Sequence, residues 1–318
     1  MSSGSPLLPR AGRAAPFDVV GLGQCSIDHV AIVDGFPPYA GKVAMREYRR
    51  LPGGQIATAL LACARLGLRT SFLSTVGDDG VAESVLGPLR SAGVDVSRVA
   101  EIAGATSQLA LIIVDVRTGE RTVVWHRDPR LALRKERIAR ADLERGRALH
   151  LDAGDPDAAS WAGREARACG VAVFADVDTV APGVDDVLRA VDFPIVSTQF
   201  AEQRFGGPKE ALRGLAELGA RYPVVTLGER GAIGGSADAP LASPAFRVDV
   251  RDTTGAGDVF HGAFIAAALE GADAERALRI ANGAAAMNCR ALGAQGGLPT
   301  RAELDAFLAA TPVRIEPA

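Results

Sequence analysis

From Phe17 onward, short apolar runs alternate with longer segments in which apolar residues recur every three or four positions. The short runs are typical of buried strands: FDVVGLG, TSFLSTVG, ALHLD, VAVFAD, FPIVS and PVVTLG. The longer segments are typical of helices and include QIATALLACARLG, VAESVLGPLRSAG and PKEALRGLAELG. This alternation predicts an α/β fold in which helices cover both faces of a mainly parallel sheet.

Two stretches interrupt the alternation. Residues 28–50 and 106–127 have the pattern of extended strands with no helix between them, and Arg117-Thr118-Gly119-Glu120 supplies a turn in the second. Together they predict a small separate sheet. Such a sheet would act as a lid if it covered the carboxyl ends of the main strands, where open α/β sheets bind ligands. A dimerisation sheet is the simpler alternative, and the two roles are compatible.

Composition narrows the class of protein. The 318 residues are 48% hydrophobic and 23% charged with a net charge of −3, which favours a globular protein without a basic surface for nucleic acid. The four cysteines lack disulfide or zinc-ligand spacing, which suits a reducing cytoplasm. Residues 1–16 contain no apolar stretch long enough for a signal peptide, and no later segment predicts a membrane span. We expect a flexible tail over residues 1–16 and one domain over residues 17–318.

The stretch RDTTGAGDVFHGAF, residues 251–264, carries the most chemistry. A helix is predicted from Val259, so Gly255-Ala256-Gly257-Asp258 lies at its start. Backbone N–H groups there lack helical partners, and glycines let an anion approach them closely. Asp258 beside such an anion could accept a proton from an attacking hydroxyl group. The alternative is that Asp258 and the threonines only cap the helix.

The segment DTTGAGDVFHGAF resembles the second signature of the PfkB carbohydrate kinases, the ribokinase-like family. GLGQCSID, LPGGQIATALLACARLG and VVTLGERGA resemble other conserved segments of that family. The resemblance implies a three-layer α/β/α core with a small lid sheet. It implies that Asp258 is the catalytic base, that Gly255, Ala256 and Gly257 form an anion hole, and that Asp252 helps to hold a monovalent cation.

The resemblance also implies two groups of binding residues. The residues expected to contact the sugar are Asp28, Gly53 and Gly54. The residues expected on the ATP side are Thr226, Gly228 and Gly231 at the phosphates and Asn282 near the adenine. Taken without the resemblance, the double glycine is more typical of a plain turn, and Asp28 is more typical of a solvated loop acid.

The sequence departs from the family pattern in two places. Thr58 stands where the first signature usually has asparagine, so the sugar contacts there are altered or supplied elsewhere. The NxxE motif, which the family uses to organise magnesium and phosphate, would fall on Ser197-Thr198-Gln199-Phe200. We therefore expect Mg²⁺ to bind mainly through ATP phosphates and water, since Mg²⁺ usually keeps several waters.

Within the family, the sequence as a whole is most similar to the ketohexokinase and sulfofructose kinase branch. Lys42 matches a lysine that belongs to the pocket for an anionic sugar end, although a lysine on the surface of the lid is an equal alternative. Trp125 stands where those enzymes have an asparagine, which argues against strict sulfosugar specificity. It either stacks on a sugar or base, or packs within the lid.

These observations predict an ATP-dependent kinase that transfers the γ-phosphoryl group to a primary hydroxyl of a ketose-like sugar, using ATP, Mg²⁺ and K⁺. The alternatives are a nucleoside kinase of the same family and a non-catalytic sugar or nucleotide sensor. A Rossmann dehydrogenase is disfavoured because Ser26 replaces the third glycine of GxGxxG. We expect a cytoplasmic homodimer that associates through the lid sheet and has no nucleic-acid or membrane partner.

Overall fold

The computed structural model of the chain describes residues 4–10 and 13–311. Within these residues the strands are β1 (Phe17–Leu22), β2 (Ser26–Val33), β3 (Met45–Gly53), β4 (Thr70–Gly77), β5 (Asp95–Ile102), β6 (Leu109–Asp115), β7 (Arg121–His126), β8 (Gly146–Asp152), β9 (Ala172–Val177), β10 (Phe193–Ser197), β11 (Val224–Thr226), β12 (Ala232–Gly235) and β13 (Pro240–Ser243). The helices are α1 (Gln55–Arg65), α2 (Ala82–Ser91), α3 (Arg140–Leu143), α4 (Pro156–Ala168), α5 (Val184–Arg189), α6 (Thr198–Phe205), α7 (Pro208–Glu217), α8 (Ala256–Leu269), α9 (Ala274–Asn288) and α10 (Arg301–Ala310).

The main sheet has nine strands in the order β13-β12-β11-β10-β9-β8-β1-β4-β5. The seven strands from β11 to β5 in that order are parallel, whereas β12 and β13 add an antiparallel edge. Helices cover both faces: α1, α8 and α9 contribute to one apolar cluster, and α4, α5 and α7 contribute to the other. The predicted α/β fold is confirmed, and each of the six predicted strands coincides with a strand of this sheet.

Helix α8 lies in the middle of one covering layer. Every residue from Val259 to Leu269 is buried, as expected for a helix that is apolar on all sides. Gly262 allows close packing on α1, because a Cβ atom there would lie 2.5 Å from the Ala59 carbonyl oxygen. This packing fixes the position of the first turn of α8, which carries Asp258.

The second sheet has four strands in the order β3-β2-β6-β7. Strands β2 and β6 are parallel, and β3 and β7 pair antiparallel with them on either side. Its inner face is a small apolar cluster of Val30, Ile32, Ala110, Ile112 and Val114, which Leu51 and Leu292 cover. The two helix-free stretches of the sequence therefore do form one separate sheet.

The segment before β1 differs in part from the flexible tail predicted over residues 1–16. Leu7 and Leu8 are buried, and the Leu7 amide donates to the Ala272 carbonyl at 3.0 Å. Two apolar side chains are enough to attach residues 4–10 to the turn between α8 and α9, which the sequence pattern did not indicate. Over all the described residues, 4–10 and 13–311, no helix is both long and apolar enough to cross a membrane.

Candidate active site

Acidic side chains from four elements converge at the carboxyl ends of the central main-sheet strands. Asp152 ends β8, Asp176 lies near the end of β9, and Asp258 occupies the first turn of α8. Asp28 comes from β2 of the small sheet. The negative charges of Asp28 and Asp176 both act on Asp258, so the fold brings these carboxylates into one site.

The first turn of α8 presents free backbone donors. Gly255 is the N-cap residue with φ 75°, and a Cβ atom there would lie 2.5 Å from the Ala294 carbonyl oxygen, so only glycine fits. Among the described residues, the amides of Gly257 and Asp258 have no hydrogen-bond acceptor, whereas the Ala256 amide donates to Thr253 at 3.3 Å. A Cβ atom on Gly257 would meet nothing within 4 Å. The first turn of α8 therefore combines two amides without acceptors with open space beside Gly257, as an anion-binding helix start requires.

Asp258 is partly accessible to solvent at the edge of this space. Burial in the protein, followed by the negative charge of Asp176, raises the pKa of Asp258 well above its ordinary value, while Arg121 opposes the shift. A carboxylate with a raised pKa is a better proton acceptor. The arrangement places a carboxylate with a raised pKa and two amides without acceptors on adjacent residues, which is more than a helix cap requires.

Asp252 holds the loop that precedes α8. One carboxylate oxygen accepts hydrogen bonds from the Thr254 amide and hydroxyl at 2.8 and 2.6 Å, and the other accepts from the Gly293 amide at 2.8 Å. The residue is completely buried. Asp252 therefore joins the loop before α8 to Gly293, and its oxygens already have three protein donors.

Asp28 and the double glycine form the other wall of the site. Asp28 is buried, and one carboxylate oxygen accepts from the Ser26 hydroxyl at 2.8 Å. A Cβ atom on Gly53 would lie 2.0 Å from the other oxygen, and one on Gly54, whose φ is 97°, would lie 2.4 Å from Cys25 Cα. Burial, with a further contribution from the charge of Asp252, raises the pKa of Asp28 to about 6.

Thr58, which replaces the usual asparagine, is buried on α1. Its hydroxyl oxygen accepts a hydrogen bond from the Gln295 side-chain amide at 3.3 Å. The Gln295 Oε1 atom is buried and has no partner within the described residues. An amide group is thus present beside Thr58, although it comes from the segment after α9.

Strand register places Trp125 on the same face of the small sheet as Asp28, because Asp28 pairs with Ala110, which pairs with Trp125. The Trp125 side chain is 64% exposed on this face. Arg121 lies at the start of the same strand and donates to the Thr253 hydroxyl oxygen at 3.0 Å. The inner face of β7 therefore carries an aromatic ring and a cation toward the site.

Lys42 lies in the exposed loop between β2 and β3. In the part of the chain that the structure describes, it makes no ion pair, and nothing joins it to the carboxylate cluster. The role of Lys42 at an anionic sugar end stays a prediction.

The residues predicted for the nucleotide side lie together beyond β11. Thr226 ends this strand, and residues Leu227–Gly231 close a tight turn through a 2.7 Å hydrogen bond from the Leu227 amide to the Gly231 carbonyl. A Cβ atom on Gly231 would lie 2.1 Å from the Ser243 carbonyl oxygen. Asn282 donates to that same oxygen at 2.9 Å. Asn282 therefore fixes the loop after β13 beside this turn.

The residues at the position of NxxE have local structural roles. The Ser197 hydroxyl caps α6 by accepting from the Phe200 amide at 3.1 Å. Thr198 donates to the Thr226 carbonyl oxygen at 2.7 Å, which ties α6 to the nucleotide-side strand. Among the described residues, no group of three or more His, Cys, Asp or Glu side chains could hold a metal ion.

Comparison with known proteins identifies the family. The model of the pfkB family carbohydrate kinases matches residues 17–301. The chain belongs to the pfkB family of carbohydrate kinases. It is 28% identical to a nucleoside kinase of Methanothermobacter thermautotrophicus, over 90% of this chain and 94% of the relative. It is also 28% identical to a ribokinase of Bacillus subtilis, over 90% of this chain and 98% of the relative.

Solved structures agree with this assignment. The ribokinase of Thermotoga maritima superposes with a TM-score of 0.78 at 26% identity, covering 92% of this chain and 99% of that structure. The ribokinase-like fold predicted from the sequence is confirmed. The protein is an ATP-dependent carbohydrate kinase of a family whose members act on sugars or nucleosides.

The sequence did not predict several residues that the structure brings beside the predicted site residues. Asp152 accepts from the Gln24 and Gly154 amides at 2.7 and 2.9 Å, and burial raises its pKa to about 6. Its signal was an acid directly after a buried strand, and Asp176 on β9 has the same signal. Arg121 and Gln295 had no signal in the sequence, because tertiary packing alone brings them to the site.

Proposed function

We propose that this kinase transfers the γ-phosphoryl group of ATP to a primary hydroxyl of a ketose-like sugar or sugar derivative, with Asp258 as the base. The observation that carries the proposal is the first turn of α8. There, one carboxylate with a raised pKa adjoins two unpartnered amides, with open space beside Gly257.

In the proposed reaction the acceptor hydroxyl lies between Asp28 and Asp258. Its oxygen forms a bond to the γ-phosphorus while the bond from that phosphorus to the bridging oxygen breaks. The hydroxyl proton passes to Asp258, and ADP leaves with the electron pair. The amides of Gly257 and Asp258 would stabilise the negative charge on the transferred group, since donors fixed in advance need no reorganisation.

The nucleotide would lie across the turn after β11. Gly228 has φ 60° and open space around its Cα, which lets phosphate oxygens approach the backbone. Thr226 and Gly231 border the same turn, and Asn282 fixes the loop beside it. The sequence contains no GxxxxGK[ST] motif, so phosphate binding would depend on backbone amides and on Arg121.

Although four carboxylates surround the site, no three of the described His, Cys, Asp and Glu side chains are placed to hold a metal ion together. We propose that Mg²⁺ arrives bound to ATP and keeps most of its waters. For K⁺, Asp252 already accepts three protein hydrogen bonds. Backbone carbonyls would have to supply most of the ligands of a monovalent cation.

The class of substrate is proposed from the groups on the inner face of the small sheet and at the end of β8. Asp28 and Asp152 are buried acceptors suited to hydroxyl groups, and Trp125 offers an apolar surface to a sugar ring. A ketose, such as the substrates of the ketohexokinase and sulfofructose kinase branch, fits these groups, and Lys42 would favour an anionic one. A nucleoside is the second candidate, because Trp125 could equally stack on a base and one relative is a nucleoside kinase.

We propose a cytoplasmic homodimer that associates through the outer face of the small sheet. Tyr48, Leu111 and Val124 are each more than half exposed on that face, which is unusual for large apolar side chains. Association would remove them from water while the inner face stays on the active site as a lid.

The proposed reaction is tested by measuring ADP release with Mg-ATP and K⁺ across fructose, its phosphates, sulfofructose, ribose, ketodeoxy acids and nucleosides. We expect saturable turnover on one class and a loss of about 10²–10⁴-fold in kcat for Asp258→Asn. Asp186→Asn, at an exposed helix position, is the matched control and should retain full activity. Binding of ATP and a sugar without turnover on any compound would favour the sensor alternative.

A further inference from the structure

Two glutamine side chains connect the small sheet to the main sheet. Gln24 follows β1 and Gln108 precedes β6, and Gln108 Nε2 donates a hydrogen bond to Gln24 Oε1 at 2.7 Å. Strand β1 lies between β8 and β4 in the main sheet, so Gln24 stands at the carboxyl end of a central strand. Open α/β sheets bind ligands at that end. The glutamine pair therefore lies on the side of the sheet where the carboxylates converge.

The glutamine pair adjoins two of these carboxylates. The Gln24 backbone amide donates to Asp152 Oδ2 at 2.7 Å. On the small sheet, Asp28 pairs with Ala110, which is two residues after Gln108, so Asp28 and Gln108 lie on the same inner face. The pair is thus placed between an acid at the end of the main sheet and an acid on the small sheet.

The two carboxamide groups keep polar atoms that no protein group uses. Within the described residues, Gln24 Nε2 and Gln108 Oε1 have no hydrogen-bond partner, and neither atom is buried from solvent. Gly154 leaves room for the Gln24 side chain, because a Cβ atom at Gly154 would lie 2.1 Å from Gln24 Nε2. The pair therefore offers a ligand one donor group and one acceptor together.

The charged groups around the pair disfavour an anion. Burial raises the pKa of Asp28 and of Asp152 to about 6, so both are ionised at pH 8. The charge of Arg127 acts on Asp152, but this guanidinium already donates to both oxygens of Asp155, at 3.0 and 2.7 Å. A phosphate, sulfonate or carboxylate beside the pair would therefore face like charges. A hydroxyl group can instead donate to a carboxylate and accept from a carboxamide.

We propose that Gln24 and Gln108 are specificity-determining residues that bind a hydroxyl group on the neutral, non-reacting part of the acceptor sugar. This inference deepens the proposed function and rests on it, since the reacting hydroxyl of the same sugar lies at Asp258. Because Gln108 belongs to the small sheet and Gln24 to the main sheet, the bound hydroxyl contacts both sheets. An anionic end of the sugar lies away from the pair.

The test is a binding cycle between one side chain and one substrate hydroxyl, measured by titration calorimetry at pH 8 without nucleotide. The ligands are D-fructose and its monodeoxy analogues, and the variant is Gln108→Leu, which removes the polar atoms and nearly keeps the side-chain size. We expect the parent protein to bind one monodeoxy analogue about tenfold more weakly than D-fructose, as for one lost hydrogen bond. Gln108→Leu should bind D-fructose about tenfold more weakly than the parent protein does. It should bind that analogue and D-fructose within about twofold of each other, because the missing hydroxyl no longer has a partner.

A matched control separates recognition from folding. Gln203→Leu changes an exposed glutamine on α6 and should bind every sugar as the parent protein does. In turnover assays, Gln108→Leu should raise KM for the sugar about tenfold and leave kcat and KM for ATP within about twofold. A side chain that only fastened the two sheets together would weaken the binding of all these sugars equally.

Equal weakening of D-fructose and every monodeoxy analogue by Gln108→Leu would overturn the proposal, as would a parent protein that does not bind D-fructose. Gln24→Leu removes the other member of the pair and decides the cycle if Gln108→Leu does not fold. The calorimetry requires no phosphoryl transfer. A parent protein that binds D-fructose but turns over none of the sugars would therefore refute the proposed function and leave this test decisive.

Discussion

The main sheet and the small sheet bring polar groups to the same site by different means. Strands β8 and β9 of the main sheet are almost wholly buried, so Asp152 and Asp176 reach the site from the carboxyl-terminal parts of their strands. The small sheet buries one face and exposes the other, so Asp28, Arg121 and Trp125 reach the site from its inner face.

The two sheets therefore differ in where they can place polar side chains. In a parallel sheet covered on both faces, the strands are buried along their length and polar side chains lie at the strand ends. Such sheets therefore bind ligands at the strand ends. A sheet that is covered on one face only, like the small mixed sheet, can place polar and aromatic residues along a face. We expect substitutions at the main-sheet end to abolish chemistry and substitutions in the small sheet to change substrate binding and association.

The largest effect is expected at the main-sheet end. Gly257→Val would place a branched side chain in the open space beside the α8 amides while leaving the packing of Gly255 intact. We expect kcat to fall by about 10²-fold or more, which is comparable to losing one preorganised donor. Gly257→Ala should have a smaller effect, and thermal unfolding should show both variants folded. Full activity in Gly257→Val would place the transferred phosphoryl group elsewhere.

Asp28→Asn tests the inner face of the small sheet. The pKa of Asp28 is raised to about 6 in the folded protein, so folding favours its protonated form. The free energy of unfolding should therefore fall as the pH rises from about 4 through 6. The variant should be more stable than the parent protein at pH 8, by ~1–3 kcal/mol, with no such gain at pH 4. Its KM for the sugar should rise about tenfold. Urea titrations at both pH values measure the stability change, and an equal effect at both would contradict it.

Leu111→Glu tests the outer face. This side chain is 51% exposed and lies between His29 of β2 and Val124 of β7 in the sheet. A charge there would be desolvated in an interface but harmless at a free surface. Sedimentation should show a shift from dimer to monomer, with unfolding temperature little changed at high dilution. Val116, exposed beyond the end of β6, offers a control position for the same substitution. A parent protein that sediments as a monomer would refute the interface.

The smallest effect is expected at Lys42. Since the side chain lies in an exposed loop, Lys42→Ala should leave turnover of neutral sugars within about twofold, as for most surface substitutions. If it contacts an anionic sugar end, KM for that sugar should rise by about tenfold and the rise should shrink at high salt. Lys209→Ala, on the exposed start of α7, is the matched control.

The sequence by itself determined the strand and helix alternation and the chemistry of the α8 start, because both depend on residues close together along the chain. The spacing of apolar residues predicts β1, β8 and α1 from neighbouring positions alone. Gly255, Gly257 and Asp258 are also close in the chain, and together they are typical of an anion-binding helix N-terminus. The packing of Leu7 and Leu8 against the turn between α8 and α9 was not predicted, because two adjacent apolar residues show no helix or strand periodicity.

Only the tertiary structure decided which distant residues complete the site. Asp176 and His261 are separated by 85 positions and meet because β9 packs beneath α8. Gln295 reaches Thr58 across 237 positions, and Arg121 reaches Thr253 across 132. No local pattern encodes such pairs, since they depend on how whole elements pack, and their partners have no fixed spacing in the sequence.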